Sequence, residues 1–599
     1  MRSALEDFFE RLDFRKVAII FSLLGFLLYA NTFFNQLFWD DFDSIVNNQY
    51  VKSWKYLPKY FSENLTAGAG IKDNYWRPLL LISFSLDYKL GGVSPFFYHL
   101  QNLLWHLLSV LMVFVVIRKI FQIFYFDESG GFSNLIGFLV GIIFLIHPLQ
   151  TEAVTYVAGR ADPMHSALML LSLYYFLKFF ERIVIEGIET INLKDVDYLC
   201  SLIFLVLAFL TKERTVIFLG VVTLIVVVFY FESLKKNWRK IFVLIAPFLA
   251  ITVSYLVLRQ TVLHFTDTFD LGAKDNLGIN GTWEKFLILA KGMGVYFGLF
   301  FWPIKLYMEK TLVVPKSFFE IQVLVGIGLT IFLIFMAVKS IKKDPLISIG
   351  IFWFLGALSP SLHIYPIQGL LYEHWLYFPM IGFWLAFLLL AINCLERIKT
   401  KFPSKEQFLN KIVLIFVVVN CLFLGARTFA RNTDWRNPIR FYEKNIKLGG
   451  YSARVYTNLG MAYSEERKAN QAIENYQKAI ELDRRIFQPW YNLGNTYRDL
   501  GESEKAIDAY SKAIEREPLF GSAYNNLAVI YLNEKNFSKA EEIIKKGISF
   551  NPQNIQLQVN LLLIYVQTGK REEIEKQKKI IQDLGIDNQE ILRQVDALH

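Results

Sequence analysis

Apolar runs long enough to cross roughly 30 Å of hydrocarbon, or nearly so, recur through the first 430 residues, and this constrains the fold more than anything else in the chain. Spans are expected near 17–34, 102–117, 135–147, 164–180, 198–211, 215–231, 241–258, 321–338, 346–358, 375–393 and 412–428. Several are short, so their ends must reach into semi-polar flanks. A length of 599 residues would otherwise suggest about four soluble domains. The clustering of apolar residues (54% of the chain, mean hydropathy +0.33, 55 Phe) rules that out. With only 20% charged residues, disorder and collagen-like character are excluded too. Cys200, Cys394 and Cys421 lie in or beside apolar segments and form no CxxC or metal knuckle.

Charge becomes informative once divided along the chain. Residues 452–599 carry a net charge of −1 and residues 1–451 a net charge of +10. The basic excess therefore belongs to the hydrophobic part, which indicates membrane topology and argues against nucleic acid as a partner. Basic clusters at Lys235, Lys236, Arg239 and Lys240, at Lys339, Lys342 and Lys343, and from Arg397 to Lys411 mark cytoplasmic loops. An even number of crossings must separate them. The segment 284–303, with Lys291 at its middle and Gly-Met-Gly at 292–294, is accordingly read as re-entrant or interfacial. The count is then about eleven spans, with the N-terminus inside and everything after Ala430 outside. The first apolar run follows Arg15 and Lys16 without a small-x-small cleavage site after Leu28, so a retained signal anchor is expected.

The remaining residues repeat with a period of 34. Asn458, Asn492, Asn526 and Asn560 fall into register, as do Leu459, Leu493, Leu527 and Leu561 and then Tyr463, Tyr497, Tyr531 and Tyr565. Ala472, Ala506 and Ala540 follow, and Pro518 and Pro552 close their units. This is the tetratricopeptide (TPR) period: two antiparallel helices per unit, with small residues where they cross. About four units are expected, near 453–486, 487–520, 521–554 and 555–588, the last degenerate as a cap should be. The expected fold is thus all-α: a polytopic bundle over 1–430, a linker over 431–452 and a TPR α-solenoid over 453–599.

On this topology five loops bring ionisable residues to the outer face. They carry Asp40 and Asp41 after Trp39; Arg77 in the Asn74–Pro78 stretch; His147, Glu152, Arg160 and Asp162; Lys212 and Glu213 in the turn Thr211–Arg214; and His363, Tyr365, Glu373, His374 and Tyr377. Ionisable groups are costly to bury at a membrane boundary, so a shared polar cavity is the natural expectation. Each group also has a plainer reading. An adjacent acid pair is often just solvated, Trp39 suits an interfacial anchor as well as a sugar platform, His147 before Pro148 can simply cap a span, and Lys212 with Glu213 or Arg160 with Asp162 can form ordinary ion pairs. The coincidence of all five loops at one face favours function. These acids and histidines could bind a divalent ion, but no ligand spacing is diagnostic. HExxH, Walker and GxGxxG contexts are absent.

The blocks WDD, YWRPLL with LISFSLDYKLGG, YHLQNLLWHLL, HPLQTEAVTYVAGRAD, LTKE and YEHWLYFP, in this order and followed by the repeats, resemble the transmembrane-and-tetratricopeptide (TMTC) family of protein O-mannosyltransferases. The resemblance covers essentially the whole chain. It implies a GT-C glycosyltransferase fold and a sugar donor linked to polyprenyl phosphate, used on the non-cytoplasmic side of a bacterial inner membrane or an endoplasmic reticulum. The family's acidic first-loop motif maps onto Asp40 and Asp41, and its cationic contacts to the donor phosphate onto Arg160, Lys212 or Arg77. Glu373 falls where the family reads Glu-Arg; here His374 follows it.

The chemistry expected is transfer of a sugar, mannose by the resemblance, to Ser/Thr hydroxyls of an extracytoplasmic protein. Asp41 or Asp40 would act as general base, and Arg160, Lys212, Arg77 or His147 would stabilise the leaving phosphate. Glu152, Asp162, Glu213 and Glu373 would support the site. Asn458, Asn492, Asn526 and Asn560 occupy one helix position in successive units and would hold an acceptor main chain through paired donor and acceptor groups; packing of the repeats is the plainer reading. Two rival functions stand beside this one: a GT-C enzyme that glycosylates a lipid or envelope glycan, and a non-catalytic membrane-anchored TPR scaffold.

Overall fold

The computed structural model describes residues 10, 12–71, 73–125, 130–263, 282–308, 315, 317–359 and 371–584. The chain divides between Phe441 and Tyr442 into two compact units.

In the first unit, thirteen helices of at least 13 residues are formed among the described residues. They are α1 (Phe14–Tyr29), α2 (Pro78–Gly91), α3 (Pro95–Tyr125), α4 (Gly131–Ile146), α5 (Ala161–Glu186), α6 (Val196–Phe209), α7 (Ile217–Phe229), α8 (Leu234–Thr261), α9 (Thr282–Phe301), α10 (Ile321–Ser340), α11 (Pro345–Leu358), α12 (Pro379–Lys401) and α13 (Glu406–Asn432). Their starts follow local chemistry. Asp13 and Asp195 cap α1 and α6 by accepting backbone N–H groups. Proline opens α2, α11 and α12, where its missing N–H has no helical partner to lose.

All eleven expected runs are helical. Among the described residues six helices are long and apolar enough to cross a bilayer, or seven if α4 and the short helix after its 55° bend count as one span. The other expected spans fall on shorter helices, such as the 14 residues of α6, or on the more polar α5. The segment read as re-entrant or interfacial is α9, one continuous helix of 20 residues.

The core surrounds α3, which packs against α1, α2, α4 and α5. Helix pairs approach most closely at glycines. A methyl group on Gly350 of α11 would fall 2.7 Å from the carbonyl oxygen of Gly382 in α12, and one on Gly382 would fall 2.5 Å from that of Gly350. Asparagines tie the end of α1 to the end of α13. Asn432 donates to Leu28 O at 2.8 Å, Asn31 to Phe429 O at 3.0 Å, and Asn35 to Asn432 O at 3.1 Å. The last long helix is thus fixed beside the first, and the Trp39–Asp41 segment continues from that junction.

Among its described residues the second unit contains four helix pairs: Ala453–Glu465 with Ala469–Leu482, Gln488–Asp499 with Ser503–Arg516, Gly521–Asn533 with Phe537–Phe550, and Ile555–Gln567 with Arg571–Asp583. They fall in the expected repeat units. Gly460 and Gly494 leave room for the Tyr476 and Tyr510 rings across each pair. A left-handed residue turns the chain within every pair, at Arg467, Gly501, Lys535 and Gly569, again 34 apart.

Candidate functional site

The two first-loop aspartates separate at once. Asp41 is 1% exposed. Its carboxylate accepts the Phe38 N–H at 3.1 Å and the Ala158 N–H at 2.8 Å. Burial pushes its pKa up to about 8, against the lowering effect of those two amides. Asp40 is exposed and lies within electrostatic reach of Asp41, Asp43 and Tyr75. Between Phe38 and Asp40 the backbone of Trp39 adopts φ +62°, a rare conformation for a bulky residue. Its ring stacks on Tyr156 at 5.7 Å, and Tyr156 stacks on Trp435 at 5.5 Å. Asp41 is therefore the internal anchor of this turn, and Asp40 is the carboxylate it presents.

The cations also take different roles. Arg160 is fully buried, and all three guanidinium nitrogens are engaged. Nε meets Asn102, Nη1 meets Ser83 and Gln101, and Nη2 meets Tyr98 O and pairs with Asp87 at 2.6 Å. Through these partners Arg160 holds α2, α3 and α5 together, and a phosphate at this position would have to displace them. His147 is engaged in the same way. Its Nε2 lies 3.1 Å from Phe300 O and its Nδ1 accepts the Leu149 N–H at 3.2 Å, so both ring nitrogens serve the bend after α4.

Arg77, Lys212 and Glu213 do come together. Nε and Nη2 of Arg77 reach the two Glu213 oxygens at 3.1 and 2.7 Å, and the guanidinium stacks on Tyr75 at 4.4 Å. Lys212, 5% exposed, donates to Asp162 at 2.6 Å. Burial, opposed by Asp162 but reinforced by Arg214 and Arg77, brings the Lys212 ammonium down to about 8. For Glu213, burial is outweighed by Arg77 and the other nearby cations, which hold the carboxyl well below its usual range.

Glu152 supports the opposite side. It accepts the N–H groups of Glu373 and His374 at 2.8 and 3.0 Å and meets His374 Nδ1 at 2.9 Å. Glu373 lies 3.8 Å from Arg431 Nη2. Through these contacts the turn bearing Trp375 is fixed, and His374 lies within electrostatic reach of Asp162. The five loops thus supply one electrostatically connected group running from Asp40 through Tyr75, Arg77, Glu213, Lys212 and Asp162 to His374. His363 and Tyr365 lie outside the described residues.

Arg214 ends the turn that carries Lys212 and Glu213, and no motif marks it. Its guanidinium lies over the Trp375 ring at 4.9 Å and, among the described residues, has no hydrogen-bond acceptor. Local charge could have found it: Lys212-Glu213-Arg214 sets two cations against one acid in a turn too short to carry them into water. Among the described residues no group of three or more His, Cys, Asp or Glu side chains is arranged to hold a metal ion.

Descriptions of the tetratricopeptide repeat match residues 453–485, 488–519 and 509–542. The Mus musculus "Protein O-mannosyl-transferase TMTC3" is 22% identical over 505 residues, covering 78% of this chain and 51% of that protein. The Caenorhabditis elegans "Protein O-mannosyl-transferase F38B6.6" is 24% identical over 474 residues, covering 77% and 62%. The Homo sapiens "Protein O-mannosyl-transferase TMTC2" is 34% identical over 164 residues, covering 27% and 18%. The chain spans about half the length of the TMTC3 relative. Among solved structures, MamA is 28% identical, covering 27% of this chain and 93% of its own at a TM-score of 0.23.

Proposed function

We propose, from its similarity to TMTC-type proteins and its C-terminal TPR repeats, that this chain is a glycosyltransferase moving mannose from a polyprenyl-phosphate donor to Ser/Thr hydroxyls of a protein. The observation that supports this reading is an exposed carboxylate, Asp40, in one electrostatically connected group with Arg77, Lys212 and their partners.

Asp40 takes the proton of the acceptor hydroxyl as its oxygen forms a bond to the anomeric carbon. The bond from that carbon to the phosphate oxygen breaks, and the electron pair leaves with the polyprenyl phosphate. Arg77 and Lys212 stabilise the charge that develops there. A single displacement inverts the anomeric centre. Asp41 acts as a positioning residue, holding the turn through two backbone amides. The site works on the non-cytoplasmic side, with the N-terminus inside and the repeats outside, where the repeat unit retains the acceptor polypeptide. The lipid-linked sugar enters as the donor substrate.

The test supplies membranes with radiolabelled polyprenyl-phosphate mannose and follows label into protein. Asp40→Asn should lower transfer at least about 100-fold, the usual scale of general-base catalysis. Wild-type transfer by Asp40→Asn would remove the base from this reading. Label appearing only in glycolipid would remove the protein acceptor.

A further inference from the structure

The turn that presents Asp40 is not held by local bonds alone. Trp39 adopts φ +62°, a region that a bulky residue occupies only where its surroundings enforce it. Asp41 supplies part of that enforcement through the Phe38 and Ala158 amides. The rest comes from the segment that follows α13. Trp435 ends the short helical turn Thr433–Trp435 and is 1% exposed. Its ring packs on Phe441 at 4.3 Å, on Tyr156 at 5.5 Å and on Phe38 at 6.0 Å. Tyr156 in turn carries the Trp39 ring at 5.7 Å, and Phe441 packs on Phe38 at 5.3 Å. One indole therefore braces both Phe38 and the partner of Trp39.

Hydrogen bonds fix the brace itself. The Gln36 N–H donates to Arg436 O at 3.1 Å, and Thr155 Oγ1 donates to Asn432 Oδ1 at 2.7 Å. The end of α13 is thereby tied to the residues before Trp39 and to those before Tyr156. Asn437 Oδ1 accepts the Arg440 N–H at 2.9 Å at the start of the helix Pro438–Leu448, whose first turn carries Phe441. The indole N–H of Trp435 is buried and has no hydrogen-bond partner among the described residues. Its contribution is made by the ring, and phenylalanine can supply part of it.

We propose that Trp435 is a positioning residue for transfer: packed among Phe38, Tyr156 and Phe441, it holds the Trp39 turn in the conformation that exposes Asp40 while Asp41 stays buried. This rests on the proposed function for the role of Asp40. Trp435 acts through that turn and touches neither donor nor acceptor. Without it the turn relaxes, and displacing a reacting group by about 1 Å costs on the order of 100-fold in rate.

The test uses the full chain in detergent with polyprenyl-phosphate mannose and an unfolded Ser/Thr-rich peptide. Trp435→Leu should lower kcat at least about tenfold and leave both KM values within about twofold. Trp435→Phe, which keeps a ring, should stay within roughly threefold of wild type. In an Asp40→Asn background Trp435→Leu should lower the residual transfer by less than about twofold, because the group it positions is gone. An equal fall in both backgrounds, or an unchanged kcat in Trp435→Leu, overturns the proposal.

Hydrogen exchange gives a readout independent of transfer. The Phe38 and Phe42 amides, which donate to Asp41 Oδ2 and Trp39 O, should exchange at least about fivefold faster in Trp435→Leu, with amides of α10 unaltered. Unaltered exchange at Phe38 and Phe42, or faster exchange throughout the first unit, overturns the proposal whatever the activity. Faster exchange confined to that turn, in a chain that transfers no sugar, sustains the brace while removing the transferase reading. If Trp435→Leu fails to fold, Phe441→Leu, which removes one neighbour of the indole, carries the same measurements with the same outcomes.

Discussion

Arg77 and Glu213, 136 residues apart in sequence, meet in a two-pronged ion pair that ties the end of the first long loop to the turn after α6. Removing one partner leaves the other charge desolvated, which usually costs more than the pair contributes when intact. Their side chains are 12% and 24% exposed, so solvent screening reduces the penalty. Arg77→Ala should destabilise the protein by about 1–3 kcal/mol, and Arg77→Lys by less because it retains the charge but loses the fork. Melting midpoints in detergent for Arg77→Ala, Glu213→Ala and the double variant form a mutant cycle. A coupling of at least about 1 kcal/mol is expected, and simple additivity would remove the pair from the site's architecture.

Asp41 predicts a pH dependence with a definite sign. Its pKa rises from an ordinary 3.8 to about 8 in the folded protein, so between those values the native state binds the proton more tightly than the unfolded chain. The contribution is fully present below the unfolded pKa and is lost as pH climbs through about 8. Stability should therefore fall between pH 5 and 8 by an Asp41-dependent component of a few kcal/mol. Asp41→Asn cannot lose a proton and should flatten that slope. It should also lower stability at pH 5, since an amide NH₂ then faces the Phe38 or Ala158 N–H. Melting curves from pH 5 to 9 decide this, and a slope equal to wild type in Asp41→Asn would show that Asp41 is not the titrating group.

The repeat turns offer a stabilising change. Gly501 and Gly569 occupy the left-handed position at φ +78° and +68°, whereas Arg467 and Lys535 occupy its equivalents at φ +60° and +57°. A side chain in that region costs roughly 1 kcal/mol, a cost glycine avoids because it has no Cβ. Lys535→Gly and Arg467→Gly should each stabilise their repeat by about 0.5–1 kcal/mol. Hydrogen exchange in Gly521–Asn533 and Phe537–Phe550 should slow in Lys535→Gly. Faster exchange would mean that the gain in unfolded-chain entropy outweighs the relief of strain.

The difference between what was legible and what was not follows from which interactions are periodic. Apolar runs and the 34-residue register are repeated signals, so every expected helix and all four repeat pairs could be placed from sequence. Individual ionisable groups carry no such redundancy. Arg160 and Lys212 look equally suited to a phosphate until their partners are known. Asp87, Ser83, Gln101 and Asn102 then turn out to enclose Arg160, and those residues lie on other helices with no motif linking them to it. Asp40 and Asp41 are adjacent in the chain, and only the backbone turn at Trp39 directs one outward and the other inward. Arg214 shows in sequence only as the second cation of the Lys212-Glu213-Arg214 turn, because the Trp375 ring it stacks on comes from a segment 161 residues away.

The four aligned asparagines, equivalent by register, divide into two pairs in the folded repeats. Asn526 donates to Tyr491 Oη at 3.1 Å and to Asn495 Oδ1 at 2.9 Å, and Asn560 donates to Asn525 Oδ1. These two join neighbouring repeats. Asn458 and Asn492 are half-buried, and among the described residues their side chains have no hydrogen-bond partner. They retain the donor and acceptor groups needed to hold an extended main chain. Replacing Asn526 and Asn560 by alanine should therefore speed hydrogen exchange in Gln488–Asp499 and Gly521–Asn533, each lost bond being worth roughly 1 kcal/mol. Replacing Asn458 and Asn492 should leave exchange unaltered while weakening an unfolded Ser/Thr-rich peptide at least about fivefold, the equivalent of one hydrogen bond. Fluorescence anisotropy with the full chain in detergent measures the second effect. Equal peptide affinity in wild type and Asn458→Ala/Asn492→Ala would show that this row packs repeats and does not retain the acceptor.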